Sequence, residues 1–558
     1  MRYRILVTDD IDPEGVALLA GVEDFDVDEV PTLPPDELLA RIPGYDALVG
    51  RSATKVSAEV LRAATRLKVV GRAGVGVDNI ALDTATELGI AVINAPAGNT
   101  VAVAELFFGV VTSLLRLLPR AYESMHAGHW ERSSLLGSEL KGRTLGIVGL
   151  GRIGGEIASR AQTFGMSLVA YDPYVAESRF QSLRVTRAAS LDELLDEADI
   201  VTVHTPLTDE TRGMIGRREL ARLSSSTIVV NMARGGIVDE DALTEALEAG
   251  KLAAAAVDAF VKEPLRSDHP LRRMPNVFLT PHIGASTAEA QRNVAVDACA
   301  AVRDALLSGE YSRSINVPEG EHGRWEELRP ARTLARRAAA IGRAILASQG
   351  TSVLGRIDVR GSHLLSPGRE TLVASAALGV LEAVLEQERL NLINARTLAE
   401  ARGIELSFTE ALDGSEGLTG SEASGSGGAQ TVEVRLTGGM HDITVGGIAY
   451  GGRSGAAGAN GDGAFRITRI GAFRVDVYPR DTLVILTNRD VPGVIGRVGT
   501  LLGEAGVNIA EYHQARLAQG GEALAAISVD GGVGEEVKRR LLELPDVRSV
   551  TAVSFRRE

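Results

Sequence analysis

Arg234, Glu263 and His282 each follow a short apolar segment of the kind that forms a buried strand. A histidine has a pKa near neutrality and can take the proton of a hydroxyl group, and a neighbouring carboxylate can orient its ring. A guanidinium can clamp a carboxylate with two hydrogen bonds. Each residue alone has an ordinary structural explanation, but three on successive strand ends suit the oxidation of an alcohol next to a carboxylate.

The stretch from 144 to 172 predicts the binding site of a hydride acceptor. An apolar strand leads into Gly149, Gly151 and Gly154, a helical pattern follows, and a second strand ends at Asp172. The glycines allow a tight turn, a close approach of the backbone to a pyrophosphate and close packing of the helix. The helix N-terminus favours phosphate. These elements predict NAD, because Asp172 can accept hydrogen bonds from ribose hydroxyls whereas a 2′-phosphate would meet its negative charge.

Two arginines follow strand ends in the first hundred residues, Arg51 within RSATK and Arg72 within GRAGVGVDN. In open α/β sheets, ligands bind at the carboxyl ends of the strands. One arginine at such a place is most simply a solvated surface residue. Two of them, with glycines beside them, favour an anion-binding site.

The composition of the chain restricts its partners and its surroundings. The 558 residues carry a formal net charge of −14, which argues against nucleic acid as a partner. The sequence contains one cysteine, Cys299, so no disulfide can form within the chain and no metal-type cluster is indicated. No stretch is apolar over the length needed to cross a bilayer. We therefore expect a cytoplasmic protein without a metal or a membrane segment.

The order of predicted strands and helices indicates two α/β units in the first part of the chain. Residues 100–282 predict a Rossmann-like, doubly wound parallel sheet that binds the nucleotide. This unit is inserted in a smaller, flavodoxin-like α/β substrate-binding unit made of residues 1–99 and 283–316. The insertion is inferred because the first segment has few strands of its own, so the long helix at the end of the nucleotide unit should return to it.

The last part of the chain predicts two further units. Residues 317–480 mix helical and strand patterns and indicate an α+β unit. Two glycine-rich tracts within it, 413–430 and 451–464, are predicted to be flexible loops. Residues 481–558 show a compact βαββαβ pattern, which predicts a ferredoxin-like arrangement.

Several segments resemble known signatures. VGLGRIG, NMARGGIVDEDAL, VDAFVKEP and TPHIGAST resemble those of the D-isomer-specific 2-hydroxyacid dehydrogenases. Within that family, RSATKV, GRAGVGVDNI, NAPAGNTVAVAEL and SMHAGHWERSSLLG are similar to the branch that acts on 3-phosphoglycerate. The resemblance extends over the whole chain, and it implies an enzyme that uses NAD.

The resemblance also assigns roles to individual residues. It places the catalytic trio of the family on Arg234, Glu263 and His282. Substrate contacts fall on Arg51, Arg72 and Asn99, and on Arg132, which members of the family can lend across a dimer interface. The cofactor contacts that it implies, together with the glycine loop, are Gly149, Gly151, Arg152, Ile153, Gly154, Asp172, His204, Thr205, Pro206, Ala233, Asp258 and Gly284.

The C-terminal units resemble regulatory domains. Residues 317–480 are similar to an intervening allosteric domain, and residues 481–558 are similar to an ACT domain, a module that senses small molecules. In related ACT domains serine binds between paired domains, and the matching positions here are Asp490 and Asn508. Asn488 stands where other members often carry His or Tyr. The lent arginine and the paired ACT domains both imply a homodimer or homotetramer.

This resemblance implies NAD-dependent oxidation of 3-phospho-D-glycerate to 3-phosphohydroxypyruvate, the first step of L-serine synthesis, with feedback by serine. One alternative is a dehydrogenase for another D-2-hydroxyacid, such as 2-hydroxyglutarate or glycerate. A second alternative, of a different class, is a protein that senses NAD without catalysis.

Overall fold

The computed structural model describes residues 2–309, 311, 313–318, 325–351, 353–382, 390–411, 429–450 and 465–555. The two glycine-rich tracts predicted to be loops lie outside the described residues, except for residues 429 and 430, which open a strand. Four sheets organise the described chain.

The first sheet has five parallel strands in the order β2-β1-β3-β4-β5. Its helices are α1 (Pro13–Ala20), α2 (Pro35–Arg41), α3 (Ala58–Ala63) and α4 (Leu82–Glu87). The strands are β1 (Tyr3–Val7), β2 (Phe25–Glu29), β3 (Ala47–Gly50), β4 (Val69–Arg72) and β5 (Ala91–Asn94). This is the predicted flavodoxin-like strand order.

A long C-terminal helix of the α/β region, α12 (Ala288–Ser308), packs on this first sheet. Gly15 of α1 makes a close approach possible, because a Cβ there would lie 2.7 Å from the backbone carbon of Ala295. Gly71 of β4 is similarly close to Val302, at 2.5 Å. This packing supports our proposal that residues 1–99 and 283–316 form one substrate-binding unit around an inserted nucleotide unit.

The second sheet has seven parallel strands in the order β12-β11-β10-β9-β6-β7-β8. The strands are β6 (Thr144–Val148), β7 (Ser167–Tyr171), β8 (Thr186–Arg187), β9 (Ile200–Val203), β10 (Ile228–Asn231), β11 (Ala254–Val257) and β12 (Val277–Leu279). The direction of winding reverses between β6 and β9, and ligands of such sheets bind outside the strand ends at this point. The predicted doubly wound sheet is confirmed.

The helices of the second unit are α5 (Thr100–Leu115), α6 (Leu118–His126), α7 (Arg152–Thr163), α8 (Glu177–Leu183), α9 (Leu191–Glu197), α10 (Arg217–Leu220) and α11 (Glu240–Glu248). The apolar pattern over residues 101–118 predicts a single helix, whereas the structure breaks it at Leu117, whose φ is +53°. Pro119 accounts for the break, because a proline inside one continuous helix would remove a backbone hydrogen bond and clash with the preceding turn, whereas it is tolerated in the first turn of α6. Within the described residues no single helix is long and apolar enough to span a membrane. Helices α5 and α6 together have the length and apolar composition of a span, but their axes are bent by 66°.

The third unit is a six-stranded sheet in the order β14-β13-β15-β16-β17-β18, covered by helices. Its strands are β13 (Arg356–Gly361), β14 (Glu405–Glu410), β15 (Ala429–Gly438), β16 (His441–Tyr450), β17 (Phe465–Ile470) and β18 (Phe473–Val477). Its helices are α13 (Trp325–Ser348), α14 (Arg369–Glu382) and α15 (Ala395–Glu400). The helices α13 and α14 pack closely because a Cβ at Gly379 would lie 2.0 Å from the carbonyl oxygen of Arg336.

The fourth unit has the predicted βαββαβ order and an antiparallel sheet, β20-β21-β19-β22. Its elements are β19 (Thr482–Arg489), α16 (Val494–Glu504), β20 (Ile509–Arg516), β21 (Glu522–Val529), α17 (Glu535–Leu542) and β22 (Val547–Ser554). Side chains alternate between its two faces. Val484 and Leu486 pack under the unit's own helices, whereas Leu483 and Ile485 join the core of the third unit. Both faces of this small sheet are therefore covered.

Candidate active site

His282 and Glu263 form a hydrogen-bonded pair at the end of the second sheet. Nδ1 of His282 lies 2.8 Å from Oε1 and 2.9 Å from Oε2 of Glu263. Glu263 Oε1 also accepts a hydrogen bond from the backbone N–H of Phe260, at 3.0 Å, which fixes the carboxylate in its loop. The His282 and Glu263 side chains are 45% and 39% exposed, so the pair is open to a ligand. This arrangement can hold the imidazole ready to accept a proton at Nε2.

A buried carboxylate holds the turn that carries His282. Asp258 accepts hydrogen bonds from the backbone N–H groups of Ile283 and Gly284, at 2.8 and 2.9 Å, and from the hydroxyl of Thr280, at 2.6 Å. His282 itself has φ +53°, a left-handed conformation that costs energy without such support. The sequence assigned Asp258 and Gly284 to the cofactor, and the structure adds this positioning contact, which sequence analysis missed.

Arg234 lies in a tight loop after β10. Nη1 of Arg234 donates to the carbonyl oxygen of Ala233 at 2.7 Å, and the carbonyl oxygen of Arg234 accepts from Nδ2 of Asn231 at 2.9 Å. A Cβ at Gly235 would lie 2.0 Å from the backbone carbon of Phe260, so the arginine loop packs directly on the loop that bears Glu263. The predicted trio thus comes from loops that support one another.

Arg51 and Arg234 both lie close enough to Arg72 to repel its charge. Burial, together with the charges of Arg234 and Arg51, lowers the pKa of Arg72 to about 10. Its Nε is buried and has no hydrogen-bond partner among the described residues. Gly74 leaves room for the guanidinium of Arg72, because a Cβ at this position would lie 1.3 Å from Nη1. A partly buried cation beside two others is stabilised by a bound anion, so this cluster is suited to a substrate with more than one negative charge.

The loop that carries Arg51 is fixed by a second carboxylate. Oδ2 of Asp9 accepts hydrogen bonds from the backbone N–H groups of Arg51, at 2.7 Å, and Thr54, at 2.9 Å. The carbonyl oxygen of Arg51 accepts from Nδ2 of Asn79, at 2.9 Å. Asp9 and Asn79 therefore hold the Arg51 loop against the Arg72 loop, and neither residue was singled out from the sequence.

The glycine loop has the geometry predicted for a dinucleotide. Gly149 has φ +94°, and a Cβ at Gly154 would lie 2.1 Å from the carbonyl oxygen of Gly149, so helix α7 packs tightly on the loop. A Cβ at Gly151 would meet nothing within 4 Å, which leaves open space at the start of α7. Asp172 accepts from the backbone N–H of Leu150 at 2.8 Å. A cleft of about 400 Å³ lies beside Asp172.

Two buried polar atoms near the glycine loop fit a bound cofactor. Nδ1 of His204 and Oγ1 of Thr205 are buried and have no partner among the described residues. Burial lowers the pKa of His204 to about 3, so its ring is neutral, and its Nε2 is 2.8 Å from Oγ1 of Thr202. The carbonyl oxygen of His204 lies next to Gly149, whose Cβ position is 2.8 Å from it. Buried polar atoms are normally satisfied, and a dinucleotide in this crevice can supply the missing partners.

The other residues predicted to bind the cofactor or the substrate lie in the expected helices and loops. Arg152 and Ile153 begin α7, and Pro206 follows His204 and Thr205 at the end of β9. Asn99 precedes α5, and its Oδ1 is buried without a partner among the described residues. Groups of three or more metal-ligating side chains are not found in the described part of the chain.

Arg132 begins a short helical turn, Arg132–Ser134, in the segment after α6. It is exposed, and its guanidinium makes no hydrogen bond or ion pair with any residue that the structure describes. Large apolar side chains nearby are also exposed, among them Trp130, at 80%, and Leu136, at 90%. Within one chain, Arg132 is therefore not joined to the Arg51, Arg72 and Arg234 cluster.

The predicted effector residues do not converge within one chain. Asp490 accepts from the backbone N–H of Gly520, which precedes β21, at 3.1 Å. Asn508 donates from Nδ2 to Asp530, which follows β21, at 2.6 Å. The two therefore lie at opposite ends of the small sheet.

Asn488, the third predicted effector residue, has a buried side chain. Its Nδ2 donates to the carbonyl oxygen of Arg489 at 2.6 Å, and its Oδ1 accepts from Nε2 of Gln514 at 3.3 Å. The first bond lies within β19, and the second links β19 to β20 across the intervening β21. Asn488 thus has a structural role in the described chain that the sequence did not predict.

Comparison with known families agrees with this fold and site. The NAD-binding domain of the D-isomer specific 2-hydroxyacid dehydrogenases matches residues 108–284, and the ACT domain matches residues 482–546. The fold and the site together define an NAD-dependent 2-hydroxyacid dehydrogenase with a C-terminal ACT domain.

Comparison over the full chain narrows this class. The chain is 36% identical over 557 residues to the D-3-phosphoglycerate dehydrogenase of Synechocystis sp., covering 99% of this chain and 95% of the relative. It is 37% identical over 555 residues to that of Bacillus subtilis, covering 99% and 100%. The chain belongs to the D-3-phosphoglycerate dehydrogenases.

The α/β part alone is also found in a solved structure. A glyoxylate reductase from Paecilomyes thermophila is 30% identical, with a TM-score of 0.52, over 55% of this chain and 97% of that chain. The same fold thus occurs in an enzyme named for a different substrate.

Proposed function

We propose that this protein oxidises 3-phospho-D-glycerate to 3-phosphohydroxypyruvate with NAD, as the first step of L-serine synthesis. The observation that carries the proposal is the convergence of Arg51, Arg72 and Arg234, with the Arg72 side chain partly buried and its Nε buried without a partner among the described residues. A substrate with one carboxylate needs one such clamp, whereas a substrate with a carboxylate and a phosphate uses all three cations. Family membership supports the same conclusion.

In the proposed mechanism, Arg234 binds the substrate carboxylate and Arg51 and Arg72 bind the phosphate. Bound NAD, held by the glycine loop, Asp172, His204 and Thr205, would supply the hydride acceptor.

The proton of the substrate hydroxyl goes to Nε2 of His282. Glu263 holds Nδ1 of that ring and stabilises the imidazolium that forms. Asp258 keeps the turn in place during the transfer. General base catalysis of this kind contributes roughly 10²- to 10⁴-fold to the rate.

The test measures the formation of reduced nicotinamide from its absorbance, with 3-phosphoglycerate as substrate. Turnover in the wild type and a loss of it in Arg234→Ala support the proposal, and full turnover in Arg234→Ala contradicts the assigned role. Glycerate, which lacks the phosphate, should be oxidised far less efficiently.

A second candidate substrate is 2-hydroxyglutarate, because it also carries two anionic groups and the arginine cluster would bind it. A higher kcat/KM for 2-hydroxyglutarate than for 3-phosphoglycerate would favour this alternative. The absence of turnover with any 2-hydroxyacid, while NAD still binds, would favour a sensor.

We further propose that the protein forms a homodimer or homotetramer in the cytoplasm. The exposed apolar side chains Trp130 and Leu136 beside Arg132 support a contact with a second copy, through which Arg132 would reach the partner's substrate. Sedimentation of the wild type and of Trp130→Ser at the same concentration tests this contact. An unchanged mass in the variant, with a dimeric wild type, would place the contact elsewhere.

We propose L-serine as the effector, bound between paired ACT domains. Asp490 and Asn508 lie at opposite ends of the sheet, so an antiparallel pair of domains would bring Asp490 of one copy to Asn508 of the other. Inhibition of the wild type by serine, lost in Asp490→Ala, supports this. Equal inhibition in both would contradict it.

A further inference from the structure

Asp78 and Arg234 form an ion pair between the two parallel-sheet units. Nε of Arg234 donates to Oδ2 of Asp78 at 3.1 Å, although 156 residues separate them in the chain. Asp78 belongs to the loop after β4 of the first sheet, and Arg234 belongs to the loop after β10 of the second. The contact therefore lies where the substrate-binding and nucleotide-binding units meet.

This pair leaves one edge of the guanidinium for a ligand. Nε is taken by Asp78, and Nη1 donates to the carbonyl oxygen of Ala233. Nη2 makes no hydrogen bond with any described residue and lies against Gly76, where a Cβ would be 2.0 Å from Nη2 and 2.7 Å from Oδ2 of Asp78. Gly76 thus leaves room for both side chains of the pair.

The charge of Asp78 alone does not account for its position. Its side chain is 68% exposed, and exposed ion pairs contribute little to stability. Its carboxylate also lies close enough to Arg72 to act on its pKa, so it would repel an anionic substrate entering the arginine cluster. A carboxylate in a site for anions therefore needs a geometric explanation.

We propose that Asp78 is a positioning residue of the active site, which fixes the rotation of the Arg234 guanidinium across the domain boundary so that its Nη2 edge faces the substrate carboxylate. This inference rests on the proposed function, in which Arg234 binds that carboxylate. The backbone around Asp78 is held independently, because Nδ2 of Asn94 donates to the carbonyl oxygen of Val75 at 2.5 Å. A change of the Asp78 side chain should therefore release the guanidinium without unfolding the loop.

Two variants separate position from charge. Asp78→Asn and Asp78→Ala both remove the negative charge, but only asparagine keeps an oxygen that can accept the hydrogen bond from Nε. We expect kcat for 3-phosphoglycerate to fall at least tenfold in Asp78→Ala and to stay within threefold of wild type in Asp78→Asn. Any change in KM that comes from charge should be shared by the two variants.

Asp36→Ala, which removes an exposed aspartate of α2, is the matched control and should retain wild-type kinetics. Thermal unfolding and NAD binding of all variants show whether the fold and the cofactor site are intact. Equal loss of kcat in both Asp78 variants would mean that charge matters and not position, and wild-type kcat in both would mean an ordinary surface pair. Either result overturns the inference.

The wild-type assay tests the proposed function separately. If the wild type prefers another 2-hydroxyacid, the proposed substrate is wrong, and the same Asp78 comparison with that acid still tests the inference, since every such acid carries a carboxylate. If no 2-hydroxyacid is oxidised, both fail.

Discussion

Nδ1 of His282 faces both carboxylate oxygens of Glu263, at 2.8 and 2.9 Å, so the proton on Nδ1 is held and Nε2 is the nitrogen that can exchange a proton with a ligand. The backbone N–H of Phe260 holds the same carboxylate at 3.0 Å. The orientation of the ring therefore depends on a loop that is itself anchored, and this dependence can be tested.

Replacing the orienting carboxylate should impair proton transfer more than binding. In Glu263→Gln the side chain keeps its size but loses the charge that stabilises the imidazolium, so kcat should fall by about 10²-fold. The KM for NAD should stay near the wild-type value. Steady-state kinetics measure both, with Glu248→Gln, an exposed residue of α11, as control. A kcat within twofold of wild type would show that Glu263 does not serve His282.

Substrate binding should weaken in strongly alkaline solution. The Arg72 pKa of about 10 lies below the ordinary value of 12.5, so this cation loses its proton as the pH rises through 10. Because an anion needs the charged form, the KM for 3-phosphoglycerate should rise above that pH by up to about tenfold per pH unit.

Arg72→Gln provides the control for this pH dependence. Its KM should be high at neutral pH and nearly flat between pH 9 and 11, while circular dichroism confirms that the protein stays folded. The same steep rise in Arg72→Gln as in the wild type would assign the effect to another group.

The stability of the protein should fall in mild acid because of His204. Its folded-state pKa of about 3 lies below the ordinary value of 6.5, so between these values the unfolded chain binds a proton that the folded chain does not. Stability therefore rises with pH across this window and is lost as the pH falls below 6.5, by up to about 1.4 kcal/mol per pH unit for one proton.

Denaturant unfolding at pH 7.0, 6.0 and 5.0 measures this effect. His204→Gln cannot take up the proton, so its stability should depend less steeply on pH than that of the wild type. Parallel curves for the two proteins would show that His204 is not buried in the neutral form.

The preference for NAD over NADP should depend on the charge of Asp172. Asp172→Asn keeps an oxygen that can accept from the backbone N–H of Leu150, but it removes the negative charge that a 2′-phosphate would meet. We expect kcat/KM for NADP to rise and that for NAD to fall modestly. Initial rates with both cofactors check this, and an unchanged ratio would place the discrimination elsewhere.

Local features of the sequence were enough to predict that the candidate site residues lie at strand ends. The spacing of Gly149, Gly151 and Gly154 and the polar residues after strands are readable along the chain, and the fold class follows from the alternation of strands and helices. The contact of Asp78 with Arg234 and the support of Ile283 by Asp258 could not be predicted, because they join residues 156 and 25 positions apart through tertiary folding.

The edge strands β2 and β8 were not predicted. Strand β2 has the sequence FDVDE and β8 has two residues, both exposed, so neither carries the continuous apolar run that marked the central strands. Central strands such as β9 and β10 are buried on both faces and are strongly apolar for that reason. The predictable strands were thus those whose burial requires a continuous run of apolar residues in the sequence.

The small C-terminal sheet is enclosed on one side by its own helices and on the other by the third unit, through Leu483 and Ile485. A gene fragment encoding only residues 481–558 would expose that second face to water, and its product should tend to aggregate. The sensing module is therefore a poor candidate for transplantation into other proteins. A disturbance that reaches its strands would be transmitted to the third unit, because Leu483 and Ile485 are packed in the core of that unit.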